Sequence, residues 1–266
     1  MKLLVVGSGG REHAVIRKLK ENKEIKKIYC APGNGGISAD AECVDIKATD
    51  KENMVKFAKE NAIDFCVVTP DDPLALGMVD VMEEAGIPCF GPKANAAIIE
   101  ASKAFSKDLM KKYGIPTADY ETFDNEKDAL HYIEEKDTFP VVIKADGLAL
   151  GKGVLICETL DDAKTALREM MVEHVFGLSG NKVVVEEFMT GKEVSVLAFT
   201  DGNVVKPMIS SMDHKRAYDN DEGLNTGGMG TIAPSPYYTK EIAETCMETI
   251  FLPTVKAMNA EGRTFK

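Results

Sequence analysis

The sequence predicts an α/β protein in two parts: a parallel β-sheet with helices on both faces, then a second unit that mixes helices and strands. Three observations predict it. Apolar runs of strand length alternate with helical periodicity from Lys2 to about residue 101. Turns rich in glycine or proline follow three of those runs, at the strand ends where open parallel sheets gather ligands. From Ser102 the texture changes to a strand ending in lysine, a glycine-rich loop and further strands.

Residues 2–7 read as a short buried strand, and Arg11 to Leu19 as a helix with Ala14, Val15, Ile16 and Leu19 apolar. Ile25 to Cys30 gives a second strand. A helix over Lys51 to Glu60, a strand over Asp64 to Thr69, one helix entered through Pro73 at its first turn, and a strand at Pro88 to Phe90 complete the first unit. The second opens with a helix from Ser102 through Lys112, broken by Gly114-Ile115-Pro116. A strand near Tyr120, a helix over Glu126 to Glu135, strands over 141–145 and 154–157, a helix over 159–171 and a strand over 182–187 follow. Two more strands are expected across 192–206, then a loop-rich segment over 207–236. The last helix starts at about Thr239 and should kink or divide at Pro253.

With 266 residues, 44% of them hydrophobic, the chain is long enough for about two domains with real cores. A net charge of −11 argues against a general role on nucleic acid or at a membrane surface, because a phosphate backbone would meet repulsion. Small anionic ligands in local basic pockets remain compatible. The six cysteines, Cys30, Cys43, Cys66, Cys89, Cys157 and Cys246, show no metal-binding spacing and read as reduced, mostly core-filling residues. The apolar stretch after Met1 is too short for a signal-peptide core, and no apolar run approaches the ~20 residues that span a bilayer. The sequence therefore predicts a cytoplasmic protein.

Gly7-Ser8-Gly9-Gly10-Arg11-Glu12 links the first strand to the first helix, where glycines permit a tight turn and helix amides can receive a phosphate. It departs from the dinucleotide fingerprint, which needs a third glycine where Glu12 stands and an acidic residue at the end of the second strand. A nicotinamide or flavin oxidoreductase is thus the weaker reading. Arg11 adds a fork of donors suited to phosphate, or else caps its own helix. Pro32-Gly33-Asn34-Gly35-Gly36 and Thr69-Pro70-Asp71-Asp72-Pro73 are two further turns at the same sheet edge. Three such turns together predict a binding crevice.

Lys144-Ala145-Asp146-Gly147-Leu148-Ala149-Leu150-Gly151-Lys152-Gly153-Val154 is a strand ending in lysine, a glycine-rich loop with a second lysine, and another strand. Such a loop can close over polyphosphate. It is not a P-loop, because Gly153 replaces the Ser or Thr and a strand replaces the helix. The apolar strand Val183-Val184-Val185 runs into Glu186-Glu187-Phe188-Met189, a hinge that can offer backbone groups to an adenine edge, with Gly191-Lys192-Glu193 beyond it. A plain hairpin is the alternative for each piece alone; in combination they favour a nucleotide site.

These residues, with Phe90-Gly91-Pro92, Ser102-Lys103-Ala104-Phe105, Asp213-His214-Lys215-Arg216 and Asn225-Thr226-Gly227-Gly228-Met229-Gly230, stand in the order found in one family. The chain resembles, over essentially its whole length, the glycinamide ribonucleotide synthetases (phosphoribosylamine-glycine ligases) of the ATP-grasp superfamily. The resemblance implies a Rossmann-like substrate-binding domain over 1–101, a first ATP-grasp lobe over 102–190 and part of a second lobe over 191–266. It implies ligation of glycine to 5-phosphoribosylamine in purine biosynthesis: ATP phosphorylates the glycine carboxylate, and the amine attacks the acyl phosphate. Bringing two anions together calls for lysines and Mg²⁺.

By matching position, Lys103 and Lys144 would contact ATP phosphates under a flap of Gly147, Gly151, Lys152 and Gly153. Glu186 and the backbone of Glu187, Phe188 and Met189 would meet adenine, and Glu193 the ribose. Gly9, Gly10 and Arg11 would lie near the phosphate of phosphoribosylamine, with Asn34 beside them and Asp71, where the family more often has glutamate, near its ribose or amine. Asp213, Lys215, Arg216 and Asn225 would form the catalytic segment, with Thr226, Gly227 and Gly228 facing the substrates. Neither His13 nor His214 is nominated, since a helix-face or loop histidine is more often structural. Family members continue past this point with a glutamate and an asparagine that ligate Mg²⁺. The metal ligands are therefore expected beyond residue 266, no residue here is assigned to the metal, and catalysis by these residues alone is expected to be severely impaired.

Two other readings compete. Another ATP-grasp carboxylate-amine ligase, or a biotin-dependent carboxylase subunit, would share flap and hinge but not the Asp213–Arg216 and Asn225–Gly230 set in this order. A nucleotide-binding fragment without activity would bind ATP and turn nothing over.

Overall fold

The computed structural model describes residues 1–148 and 153–266, apart from the side chains at 221, 224, 225 and 227. Two compact units divide the chain, Met1–Ala101 with Phe265–Lys266, and Ser102–Thr264.

The first unit is built on β1 (Lys2–Gly7), α1 (Gly10–Leu19), β2 (Lys27–Pro32), β3 (Glu42–Cys43), α2 (Lys51–Glu60), β4 (Phe65–Val68), α3 (Asp71–Ala75), α4 (Met78–Glu84), β5 (Cys89–Phe90) and α5 (Ala94–Ala101). All five strands are parallel, in the order β3-β2-β1-β4-β5. β1 is central and buried on both faces, which is why its apolar residues are continuous rather than alternating. Successive side chains go to opposite faces: Leu4 and Val6 join a core with Met54, Ala58, Met78 and Met82, while Leu3 and Val5 pack with Ile16, Ile28 and Ile37. The helix expected through Pro73 is two. Gly77, at φ +84°, takes a left-handed conformation that ends one helix and starts the next.

The second unit contains α6 (Lys103–Tyr113), β6 (Tyr120–Phe123), α7 (Glu126–Lys136), β7 (Val141–Ala145), β8 (Val154–Cys157), α8 (Leu160–Leu167) and β9 (Val183–Glu187). Its four-stranded sheet is antiparallel, in the order β6-β9-β7-β8. Alternation again sorts the side chains. Val141, Ile143, Ala145, Val183 and Val185 pack with Ala129, Ile133, Ala163 and Leu167 from α7 and α8. Lys144 and Glu186 fall on the opposite face of their strands. The helix expected to reach 171 ends at Leu167 and passes into a π-helical turn over Arg168–Val172.

Beyond β9, β10 (Ala198–Thr200) and β11 (Val205–Pro207) form a short hairpin. β12 (Met212–Tyr218) and β13 (Glu222–Ile232) form a long antiparallel ribbon where a loop-rich segment was expected. Its glycines and charges hid it: among the described residues each strand pairs only with the other, so neither shows the one-sided apolar alternation of a half-buried strand. α9 (Lys240–Cys246) and α10 (Leu252–Ala260) are separated by a π-helical turn over Met247–Phe251, and Pro253 is the second residue of α10. The division expected of that proline is made by the wider turn, which accommodates a residue without an N–H. Glu261 ties α10 to α6, accepting from Tyr113 Oη at 2.7 Å and pairing with Lys112 at 2.6 Å.

Candidate functional site

In the first unit the turn after β1 is organised by Glu12. This residue is only 6% exposed, and its carboxylate folds back to accept from Gly9 N and from Thr69 Oγ1, both at 2.7 Å. A Cβ on Gly7, which has φ +131°, would lie 2.6 Å from Glu12 Cγ and 2.9 Å from Pro70 Cγ, so only glycine allows this closure. One carboxylate therefore links the turn after β1 to the turn after β4. The Gly9 N–H is already committed to it.

Asn34 plays the matching part for the turn after β2. Its Nδ2 donates to Ser8 O at 2.7 Å, and its Oδ1 accepts from Gly36 N at 2.8 Å and Ile37 N at 2.9 Å. Its amide is thus spent on loop geometry. Gly10 opens α1, and Arg11 and Asp71, each in the first turn of its helix, are exposed without an ion pair among the described residues. His13 pairs through Nε2 with Asp40 at 2.8 Å. Lys20 also reaches Asp40, at 2.6 Å, and these bonds, that of Lys20 first, hold the Asp40 carboxyl down at about 2.

In the second unit the residues expected at the nucleotide gather on and beside β7 and β9. Lys144 and Glu186 sit diagonally across these strands, whose register pairs Val142 with Glu186 and Lys144 with Val184. The Lys144 ammonium pairs with Glu186 Oε1, and Lys107 from α6 pairs with Oε2. Glu186, expected at adenine, is 4% exposed and held by two lysines. Ser102 caps α6, accepting from Phe105 N at 3.0 Å, and Asp146 accepts from Ala104 N at 2.7 Å. Lys103 Nζ donates to Gly147 O at 3.0 Å, fastening the start of the glycine loop. Ser179 Oγ donates to Leu148 O at 3.2 Å, and a Cβ on Gly147 would meet that hydroxyl at 2.4 Å. Gly153 is buried, its carbonyl accepting from Ala145 N at 2.8 Å. Gly151 and Lys152 lie outside the described residues.

The hinge beyond β9 leaves Phe188 and Met189 exposed, while Glu187 exchanges hydrogen bonds with the Asp119 backbone. A cleft of about 770 Å³ lies beyond it, lined by Ile156, Gly191, Glu193, Asp213, Lys215 and Arg216 among others. Glu193, expected at the ribose, accepts from Lys215 Nζ at 2.5 Å, a bond that raises the Lys215 pKa above its ordinary value. Asp213 Oδ2 is 4.0 Å from the same ammonium, and its Oδ1 is buried without a hydrogen-bond partner among the described residues. Arg216 donates to Gly223 O at 2.7 Å. Asn225 stands opposite Arg216 in the ribbon, its side chain outside the described residues. Thr226 Oγ1 accepts from Gly228 N at 3.0 Å, with Gly227 between them in β13.

Sequence reasoning passed over Lys107. The available signal was its place one helical turn after Lys103, which puts both lysines on one face of α6.

Comparison with known proteins agrees along the whole chain. Residues 1–100 match the phosphoribosylglycinamide synthetase N domain and residues 101–266 its ATP-grasp (A) domain. The phosphoribosylamine–glycine ligase of Listeria monocytogenes is 50% identical over all of this chain and 63% of its own length, and that of Clostridium acetobutylicum is 47% identical over all of the chain and 64% of its own. The chain thus spans somewhat under two thirds of the curated relatives it matches. Among solved structures, the phosphoribosylamine–glycine ligase of Thermotoga maritima superposes with a TM-score of 0.85 at 30% identity, covering all of this chain and 63% of that one. The biotin carboxylase domain of the Hydrogenobacter thermophilus 2-oxoglutarate carboxylase, in complex with MgADP, gives 0.75 at 22% identity over 99% and 58% of the two chains, a likeness of fold alone. With both of its units matched, the chain belongs to the phosphoribosylglycinamide synthetase family of ATP-grasp proteins.

Proposed function

We propose that this protein ligates glycine to 5-phosphoribosylamine at the expense of ATP, giving glycinamide ribonucleotide, ADP and phosphate. The observation that carries the reading is identity of about half the residues over the entire chain with phosphoribosylamine–glycine ligases, spanning both units.

A glycine carboxylate oxygen attacks the γ-phosphorus of ATP and ADP leaves. The amine nitrogen of phosphoribosylamine then attacks the acyl carbon, phosphate departs with that carboxylate oxygen, and the amine gives up a proton. The first step brings like charges together, so fixed cations must offset them. Lys144, at the solvent end of its cluster with Glu186 and Lys107, and Lys103 at the root of the glycine loop are suited to the phosphates. Gly147, Gly151, Lys152 and Gly153 supply the covering loop, and the backbone of Glu187, Phe188 and Met189 faces adenine with Glu186 at the base of the hinge.

Glu193 is suited to the ribose hydroxyls, with Lys215 as its present partner. Asp213, whose buried Oδ1 has no donor among the described residues, can accept from the glycine ammonium, and Lys215, Arg216 and Asn225 are suited to the developing acyl phosphate. Thr226, Gly227 and Gly228 present the adjoining backbone. In the first unit, Gly10, Arg11 and their helix amides receive the ribose phosphate, with Gly9 and Asn34 shaping the turn and Asp71 near the ribose or amine.

Magnesium is the ion that ATP-grasp chemistry implies. Among the described residues no group of three or more His, Cys, Asp or Glu stands together as a metal cage, and no step is assigned to the ion. Among the same residues no helix is long and apolar enough to cross a membrane. We place the reaction in the cytoplasm, with ATP, glycine and phosphoribosylamine as small-molecule partners. Phosphate release by the complete gene product tests the proposal: release is expected only when ATP, glycine and phosphoribosylamine are all supplied, and release indifferent to the amine refutes it.

A further inference from the structure

We propose that Lys107, although too buried to touch a ligand, sets the charge of the phosphate subsite by neutralising Glu186, so that Lys144 remains a net cation for polyphosphate. This rests on the nucleotide reading above.

Glu186 is 4% exposed, and a charge so far removed from water needs a counterion. Two ammonium groups meet it, Lys107 at Oε2 and Lys144 at Oε1. Their surroundings differ. Lys107 is 8% exposed and its Nζ also donates to Thr117 Oγ1 at 2.8 Å and Ala118 O at 3.2 Å, while lying 5.3 Å from the centre of the Tyr120 ring. All its donors are therefore committed to protein. The Lys144 side chain retains 30% exposure and stands at the end of β7, where the glycine loop begins.

Counting charges separates the two roles. Two ammonium groups against one carboxylate leave the cluster with a net positive charge, and only Lys144 can present it to a ligand. Remove Lys107 and Lys144 becomes the sole counterion of Glu186, leaving a neutral pair. An incoming polyphosphate then gains little, because any attraction to Lys144 is opposed by the carboxylate behind it. A ligand without phosphates is indifferent to this change. Lys107 is thus a positioning residue that acts through Glu186 on Lys144.

Calorimetry of the chain with ADP and with adenosine tests the assignment. Lys107→Met should weaken ADP binding by about tenfold or more while adenosine stays within about twofold. The double variant Lys107→Met with Glu186→Gln restores the net charge and should return the ADP-to-adenosine affinity ratio to within about threefold of the starting protein. Equal weakening of both ligands by Lys107→Met, or no recovery of the ratio in the double variant, overturns the proposal. If Lys107→Met does not fold, Glu186→Gln alone decides: removing the carboxylate should raise the ratio, and a fall overturns the proposal. If the unaltered chain binds neither ligand, the nucleotide reading fails and this one with it, an outcome distinct from binding that ignores Lys107.

Discussion

Lys144 and Glu186 form an ion pair across neighbouring antiparallel strands, although the family resemblance assigns one to the phosphates and the other to adenine. In the proposed nucleotide site, the pair would put the phosphate and adenine ends under one electrostatic constraint. Lys144→Ala should weaken ADP binding by about tenfold or more, the range expected for a lost charge-assisted contact. Thermal unfolding should change little, because Glu186 keeps Lys107 as its counterion. Calorimetry and a melting curve on the same sample check both halves.

Glu193 and Lys215 make a more exposed pair, at 2.5 Å with roughly half of each side chain in solvent. Exposed pairs contribute about 0–1 kcal/mol, so Glu193→Gln should barely move the melting temperature. If Glu193 meets the ribose, ADP affinity falls by several-fold in the same variant. Unchanged affinity removes Glu193 from the nucleotide site.

How much of this was legible in the sequence depends on the range of the interaction. The first strand and the turn at Gly7–Arg11 were readable because a strand buried on both faces is written as consecutive apolar residues, and a tight turn as adjacent glycines. The grouping of Lys144, Glu186 and Lys107 was not. It depends on the β7–β9 register and on which face α6 presents, relations fixed by packing rather than by local pattern. The β12–β13 ribbon escaped for a related reason. Its strands answer to each other alone, so its glycines and charges look like loop until the pairing is seen.

Glu12 was noticed only as the residue that spoils a dinucleotide fingerprint, yet it closes two turns. Glu12→Ala removes the acceptor of Gly9 N and of Thr69 Oγ1 together and should cost about 1–3 kcal/mol in urea unfolding. Gly7→Ala meets the same carboxylate sterically and also strains the backbone at φ +131°, so a loss of similar size or larger is expected. A stable Gly7→Ala protein contradicts the account of that turn.

Asp40 gives the first unit an acid-sensitive tie. Its carboxyl is lowered from 3.8 to about 2 by hydrogen bonds from Lys20 and then His13. A lowered carboxyl contributes stability that is present above pH 3.8 and is lost as the pH falls through about 2. Melting temperatures taken between pH 5 and 2 should therefore fall less steeply for Asp40→Asn than for the unaltered protein. Parallel curves for the two remove the Lys20–Asp40–His13 group from the acid response.

If glycine is activated by phosphorylation of its carboxylate, one carboxylate oxygen must leave with the phosphate, and isotope transfer follows it. Glycine labelled with ¹⁸O in the carboxylate is supplied to the complete gene product with ATP and phosphoribosylamine, and the inorganic phosphate is examined by mass spectrometry. One labelled oxygen is expected in the phosphate for each glycinamide ribonucleotide formed. Unlabelled phosphate accompanying product would contradict it.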